Sequence, residues 1–171
     1  FATAGGVCAS TQEIVKHQRI NGLSYVFSAA MPVMLANGST VAMKLLDANP
    51  SVYDKLHENV SILRKALDPI TSIIIPSAPE SPLVHVQIKS KRDDMDASVQ
   101  KELLTKIERL ALNQGVWITQ TPHLPSIRLQ LEQGPWARPS LRIAVTSALS
   151  VGEMAQAADI VRASIVSVVG P

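Results

Sequence analysis

Near residue 71 the hydrophobic period of this chain changes, and the change narrows the possible folds to those in which helices lie against a sheet. Upstream, Val52, Leu56, Val60, Leu63 and Leu67 recur at helical spacing between the breakers Asn49-Pro50 and Asp68-Pro69. Ser51 and Asp54 have the spacing of a capping pattern. Downstream, Ile73-Ile74-Ile75 is short and β-branched. Val84, Val86 and Ile88 alternate with His85 and Gln87, the period of a half-buried strand. A charged turn is predicted over 89–96, then a helix over 98–113 with Val99, Leu103, Ile107 and Leu110 on one face and Gly115 past its end. A strand over 116–119 and a long loop over 122–139 follow. The chain closes on a strand carrying Leu141, Ile143 and Val145, and a helix opened by Ser150 and Glu153. Strands with helices laid over one face make an α/β sandwich.

The first part reads differently. Residues 1–30 have strand and loop character, broken at Gly5-Gly6, with a short extended segment over 23–27. A helix is predicted over 32–46, with Pro32 in its first turn, where a missing backbone donor costs nothing. The expected division is 1–48 and 49–171. The opening Phe1-Ala2-Thr3-Ala4-Gly5-Gly6 reads as the interior of a longer chain, so a fragment is expected.

Apolar residues make up 46% of the 171 and charged residues 18%, which fits a globular chain. The net charge of +2 is dispersed, and with two Trp, two Tyr and two Phe there is no basic stripe interleaved with aromatics. Nucleic-acid binding is therefore not expected. No apolar run approaches the ~20 residues of a membrane span. Cys8 is alone, which excludes an intrachain disulfide and suits a reducing compartment. Without a basic neighbour to lower its pKa, it is expected to be a buried structural thiol.

His17, His57, His85 and His123 show no paired spacing, so no metal site is expected. His57 falls on a solvated helix face and His85 on the polar face of its strand. Asp93, Asp94 and Asp96 read as a solvated turn, because the other positions of a cation loop are missing. No G-x-S-x-G or phosphate-loop pattern occurs, and no catalytic residue is assigned. Arg142 stands out. Strand parity puts Leu141, Ile143 and Val145 on one face and Arg142, Ala144 and Thr146 on the other. With small neighbours, Arg142 has room for a planar carboxylate in its donor fork. A plain surface arginine on an open sheet face is an equally good reading of the residues alone. The echo of Pro139-Ser140-Leu141-Arg142 at residues 125–128 is treated as coincidence.

The segments His17-Gln18-Arg19-Ile20 and Tyr25-Val26-Phe27-Ser28-Ala29-Ala30-Met31-Pro32 resemble the α-oxoamine synthases, and within them the first, long-chain-base subunits of the serine palmitoyltransferases. The likeness extends to Gly5-Gly6, Thr119-Gln120 and residues 139–146; residues 68–115 are generic. The resemblance implies the C-terminal portion of an aspartate-aminotransferase-type (fold type I) pyridoxal-phosphate transferase, with 1–48 as the tail of the cofactor domain plus a connecting helix, and 49–171 as a small α/β domain. It implies a non-catalytic subunit paired in a heterodimer with a catalytic second subunit, which carries the Schiff-base lysine and joins serine to palmitoyl-CoA in sphingolipid synthesis. In register that lysine position precedes Phe1. The endoplasmic reticulum membrane, cytosolic face, is the implied location, through segments outside this chain. Ser28 is the implied contact to the cofactor phosphate, and Arg142 to a substrate carboxylate. Two departures stand against active members: Ala30 replaces a second Ser, and Ser147-Ala148-Leu149-Ser150 replaces a stretch ending Ala-His-Thr. A catalytically complete α-oxoamine synthase and a stand-alone binding module of this fold remain alternatives.

Overall fold

The structure is a computed structural model that describes residues 4–89, 97–121 and 138–171. The chain divides into two compact units, Phe1–Pro50 and Ser51–Pro171. The loop expected over 122–139 and the charged turn over 89–96 lie almost wholly outside the described residues, as do His123 and the three aspartates.

The first unit is helical: α1 (Gln12–Asn21), α2 (Leu23–Val26) and α3 (Val33–Ala48). This corrects the expectation of strand and loop before residue 30. Thr11 stands at the N-cap position of α1 in extended backbone, Glu13 lies in the first turn and Arg19 in the last, an arrangement that complements the helix dipole. The apolar cluster at Leu23, Tyr25, Val26 and Phe27 is a single helical turn rather than a strand. Its β-type composition is overridden by a local closure in which Ser28 N–H donates to Tyr25 O (3.2 Å) and Ala29 N–H to Ser24 O (2.6 Å). Pro32 stands immediately before α3, where its fixed φ costs no helical hydrogen bond. Cys8 is exposed, not the buried thiol expected.

The second unit is an antiparallel sheet of four strands, β1 (Ile73–Ile74), β2 (Leu83–Ile88), β3 (Thr119–Gln120) and β4 (Leu141–Ala144), in the order β1-β2-β4-β3. The helices α4 (Ser51–Leu67), α5 (Ala97–Asn113) and α6 (Val151–Val169) cover one face, with α6 packed against both of the others. Ile73, Val84, Val86, Ile88, Leu141 and Ile143 form the sheet side of the core, and Leu63, Leu67, Leu104, Ile107, Met154 and Ile165 the helix side.

Helix α5 corrects the expected face. Gln100, Leu104, Ile107 and Ala111 are buried, whereas Val99 and Leu110 are exposed. The helix carries two overlapping apolar stripes, and the one chosen ends on Ala111, whose carbonyl accepts from Val116 N–H (2.9 Å) as Gly115 N–H bonds Leu112 O (2.9 Å). Gly115 has φ +86°, the left-handed value this closure requires. The return uses up residues 115–118, which moves β3 to Thr119–Gln120 from the 116–119 expected. Helix α6 opens on a capping box: Ser150 Oγ accepts from Glu153 N–H, and Ser150 N–H donates to Glu153 Oε2 (2.8 Å). Asn59 on α4 is fully buried, and its Nδ2 donates to Thr146 O (2.9 Å) and Leu149 O (3.1 Å), fixing the turn between β4 and α6.

Two outcomes follow for unfolding experiments. Leu104→Ala should cost about 2–5 kcal/mol in urea unfolding, whereas Leu110→Ala should cost less than about 1 kcal/mol; the reverse order would restore the other stripe as the buried one. The hydrogen bonds from the Ser150 side chain and backbone, with Lys55 nearby, hold the Glu153 carboxyl below its ordinary 4.5. A depressed carboxyl stabilises above its unfolded pKa, and that contribution is lost as pH falls through the folded value. Glu153→Gln should therefore flatten the acid limb of the stability curve below about pH 4.5.

Candidate anion-binding site on the open sheet face

The face of the sheet turned away from the helices is set by which side chains the helices take. On β3, Gln120 points to the helices: its Nε2 donates to Thr105 Oγ1 (2.9 Å) and Glu108 Oε2 (2.9 Å) on α5. Alternation then places Thr119 and Thr121 on the open face. On β4, Leu141 and Ile143 are buried while Arg142 and Ala144 are exposed, as strand parity predicts. On β2, Val84 and Val86 go to the core and His85 to the open side.

The register gathers these residues. Arg142 lies between His85 on β2 and Thr119 on β3. The ladder continues past both ends of β4, with Val145 N–H donating to Pro82 O (2.8 Å) and Thr121 N–H to Ser140 O (2.9 Å). His85 Nδ1 lies 3.0 Å from Ser140 Oγ and 3.3 Å from Thr121 Oγ1, and the two hydroxyls are 3.1 Å apart. Ser140 is only 4% exposed, so this polar cluster is held below the surface beside the arginine. Burial, and after it the Arg142 guanidinium, lower the imidazole pKa below its ordinary 6.5. The shift favours the neutral ring, and the tautomer decides which partner donates in the two Nδ1 contacts. Among the described residues the one ion pair is Arg64–Asp68 (3.2 Å), and no carboxylate lies against Arg142. A cation with an open fork, small neighbours and a neutral polar flank is suited to a carboxylate.

Sequence reasoning located Arg142 and the face of His85 but missed Ser140 and Thr121. Only strand pairing brings them to the imidazole, 55 and 36 residues away in the chain.

Ser28 belongs to the first unit. It has φ +57°, a left-handed value that an L residue adopts at a cost of about 1–2 kcal/mol, and it stands where glycine ordinarily closes a helix. Its hydroxyl is the group that the resemblance implied at the cofactor phosphate. The large cavity of this unit, about 860 Å3, is lined by Gly5, Gly6, Arg19, Ser24 and Tyr25 among others, and contains neither Ser28 nor a lysine. Arg19 donates to the Tyr25 hydroxyl (3.2 Å) and lies 5.5 Å from its ring centre. His17 contacts Asn21, and His57 is exposed on α4. Among the described residues no group of three or more metal-type ligands occurs, and no helix is long and apolar enough to cross a membrane.

Residues 1–161 match the family described as aminotransferase class I and II. The chain is 32% identical over 167 residues to serine palmitoyltransferase 1 of Dictyostelium discoideum, covering 95% of this chain and 34% of that protein. It is 36% identical over 122 residues to long chain base biosynthesis protein 1c of Oryza sativa subsp. japonica, covering 71% of this chain and 25% of that protein. The chain thus spans about a third or less of the length of these curated relatives. Among solved structures, 8-amino-7-oxononanoate synthase from Francisella tularensis superposes on 92% of this chain and 40% of its own length, with a TM-score of 0.60 at 15% identity. That likeness shows the fold, the fold type I architecture expected from the sequence. The chain belongs to the class I and II aminotransferase family, and within it is similar to the first, long-chain-base subunits of serine palmitoyltransferase.

Proposed function

We propose that this chain is part of the non-catalytic first subunit of serine palmitoyltransferase, supporting condensation of serine with palmitoyl-CoA beside a lysine-bearing catalytic partner. The observation that carries the reading is the identity of 32% sustained over 95% of the chain to a serine palmitoyltransferase 1. Pyridoxal phosphate would supply the electron sink of the reaction. In this chain Ser28 would meet its phosphate end through the side-chain hydroxyl. Arg142 would hold a substrate carboxylate. The endoplasmic reticulum membrane, cytosolic face, is the proposed location.

The partner surface is proposed in the first unit. Phe27 is 74% and Met34 82% exposed, with Leu23 and Val26 beside Phe27 also uncovered. Exposed apolar groups concentrated in this way mark an interface or an aggregation liability. The chain expressed with its lysine-bearing partner should co-elute and support formation of the keto long-chain base. Alone, after pyridoxal phosphate and borohydride, it should carry no label on any single lysine. Phe27→Asp should abolish co-elution, and Lys101→Asp, on α5, should leave it intact. A stoichiometric lysine adduct on the isolated chain would establish the catalytically complete synthase, and a soluble monomer indifferent to the partner the stand-alone module.

Ser28 separates backbone from hydroxyl. Ser28→Gly relieves the left-handed strain, so folding should be kept or improved. Loss of one charge-assisted hydrogen bond should weaken pyridoxal-phosphate retention by the complex about tenfold, measured by equilibrium dialysis. Unchanged retention would remove Ser28 from the phosphate site.

A further inference from the structure

The ladder between β3 and β4 stops at Thr119 and Arg142. Beyond it the return through Gly115 carries residues 115–118 away from β4. Among the described residues no hydrogen bond joins Trp117 to Ala144, the pair that would continue the ladder. The divergence opens a cavity of about 380 Å3 between this return, the end of β4 and α6, a volume in the range of small-molecule sites. Its wall is aliphatic, with Leu63, Ile118, Ile143, Met154, Ile160 and Val161. A cavity of about 150 Å3 accepts benzene, so this one has room for roughly ten to fifteen carbon atoms. The rim differs in character from the wall. Among the described residues that line the cavity, Glu153 is the one charged group, and it shares the exposed rim with Trp117, which is 79% exposed.

Ser150 directs both its N–H and its hydroxyl at Glu153 Oε2. A carboxylate has about four acceptor positions, so Oε1 is left to take a further donor. The same hydrogen bonds favour the ionised form, and Lys55 adds to this from a distance without forming an ion pair. The face of an indole attracts cations as well. We propose that this cavity binds a single-chain aliphatic amine, with the chain among the aliphatic side chains and the ammonium at the rim beside Glu153 and Trp117. An ammonium has donors and no acceptor, which suits a carboxylate oxygen and an aromatic face together. A fatty acid of the same length would bring its own carboxylate against Glu153, and an alcohol would be held by its chain alone.

The test is calorimetric titration of the full chain at pH 7 with decylamine, decanol and decanoate, each below its micellar concentration. Trp117 fluorescence is followed in parallel on a Trp136→Phe background. Decylamine should bind at one site and shift the Trp117 emission to the blue, and decanoate should bind about tenfold or more weakly. Glu153→Gln keeps the capping box, which accepts either residue. It should weaken decylamine about tenfold, to the level of decanol, and leave decanol unchanged. Ala157→Phe, which fills the cavity from α6, should remove binding of all three while circular dichroism shows the helices intact. Decanoate binding as tightly as decylamine, or decylamine binding indifferent to Glu153→Gln, would overturn the assignment of the amine. Absence of binding by any of the three, or binding that survives Ala157→Phe in the folded variant, would overturn the site itself.

Discussion

The two hydrogen bonds from Asn59 Nδ2 to the carbonyls of Thr146 and Leu149 fix the relation between the helix layer and β4. β4 is short, four residues, and sheet hydrogen bonds alone do not determine how the chain leaves it. The carbonyls after the strand are in a turn that cannot pair them within secondary structure, and an unpaired buried carbonyl costs about 1–3 kcal/mol. A fully buried amide on α4 satisfies two of them at once. The capping box at Ser150 then begins α6 directly after that turn. The exit of β4 is thus held by α4 on one side and by α6 on the other, and the alternation that puts Arg142 on the open face and Leu141 and Ile143 in the core follows from it.

The open face gains its chemistry from strand order. β4 lies between β2 and β3, although β2 and β3 are consecutive strands in the chain. An inner position gives Arg142 a cross-strand neighbour on each side, His85 and Thr119, which an edge strand would not have. Gln120 performs the complementary task. By bonding Thr105 and Glu108 on α5 it commits β3 to one of its two possible faces, because a one-residue slip would carry every side chain to the other side. Two polar anchors on the helix side, Asn59 and Gln120, therefore determine what is presented on the other.

Legibility in the sequence followed the range of the interaction. The capping box at Ser150 and Glu153, the stripe on α4 and the alternation of β2 and β4 are local, decided within about one turn or one strand, and they were readable. The face of α5 was not. Val99, Leu103, Leu104, Ile107, Leu110 and Ala111 allow two stripes, and the choice depends on the partner helix and the Gly115 closure. The helical state of residues 12–26 was missed because short apolar clusters with aromatic and β-branched residues look like strands when the capping hydrogen bonds are unknown. Arg142 was visible as a candidate because parity is local. The cradle of His85, Ser140 and Thr121 was invisible because it exists only after β2, β3 and β4 have paired.

Leu149 shows how a departure from the active members is built into the fold. Where the resemblance implies a histidine in active members, this chain has an apolar side chain that is half-buried against the core, while its carbonyl accepts from Asn59. A histidine here would lose apolar packing and bring an imidazole into a position whose hydrogen-bonding capacity is already directed at the backbone turn. The imidazole on the open face comes instead from β2, at His85, reached across the sheet from Arg142. The imidazole thus stands on the strand next to the guanidinium, where with the Ser140 and Thr121 hydroxyls it forms the polar flank of the open face.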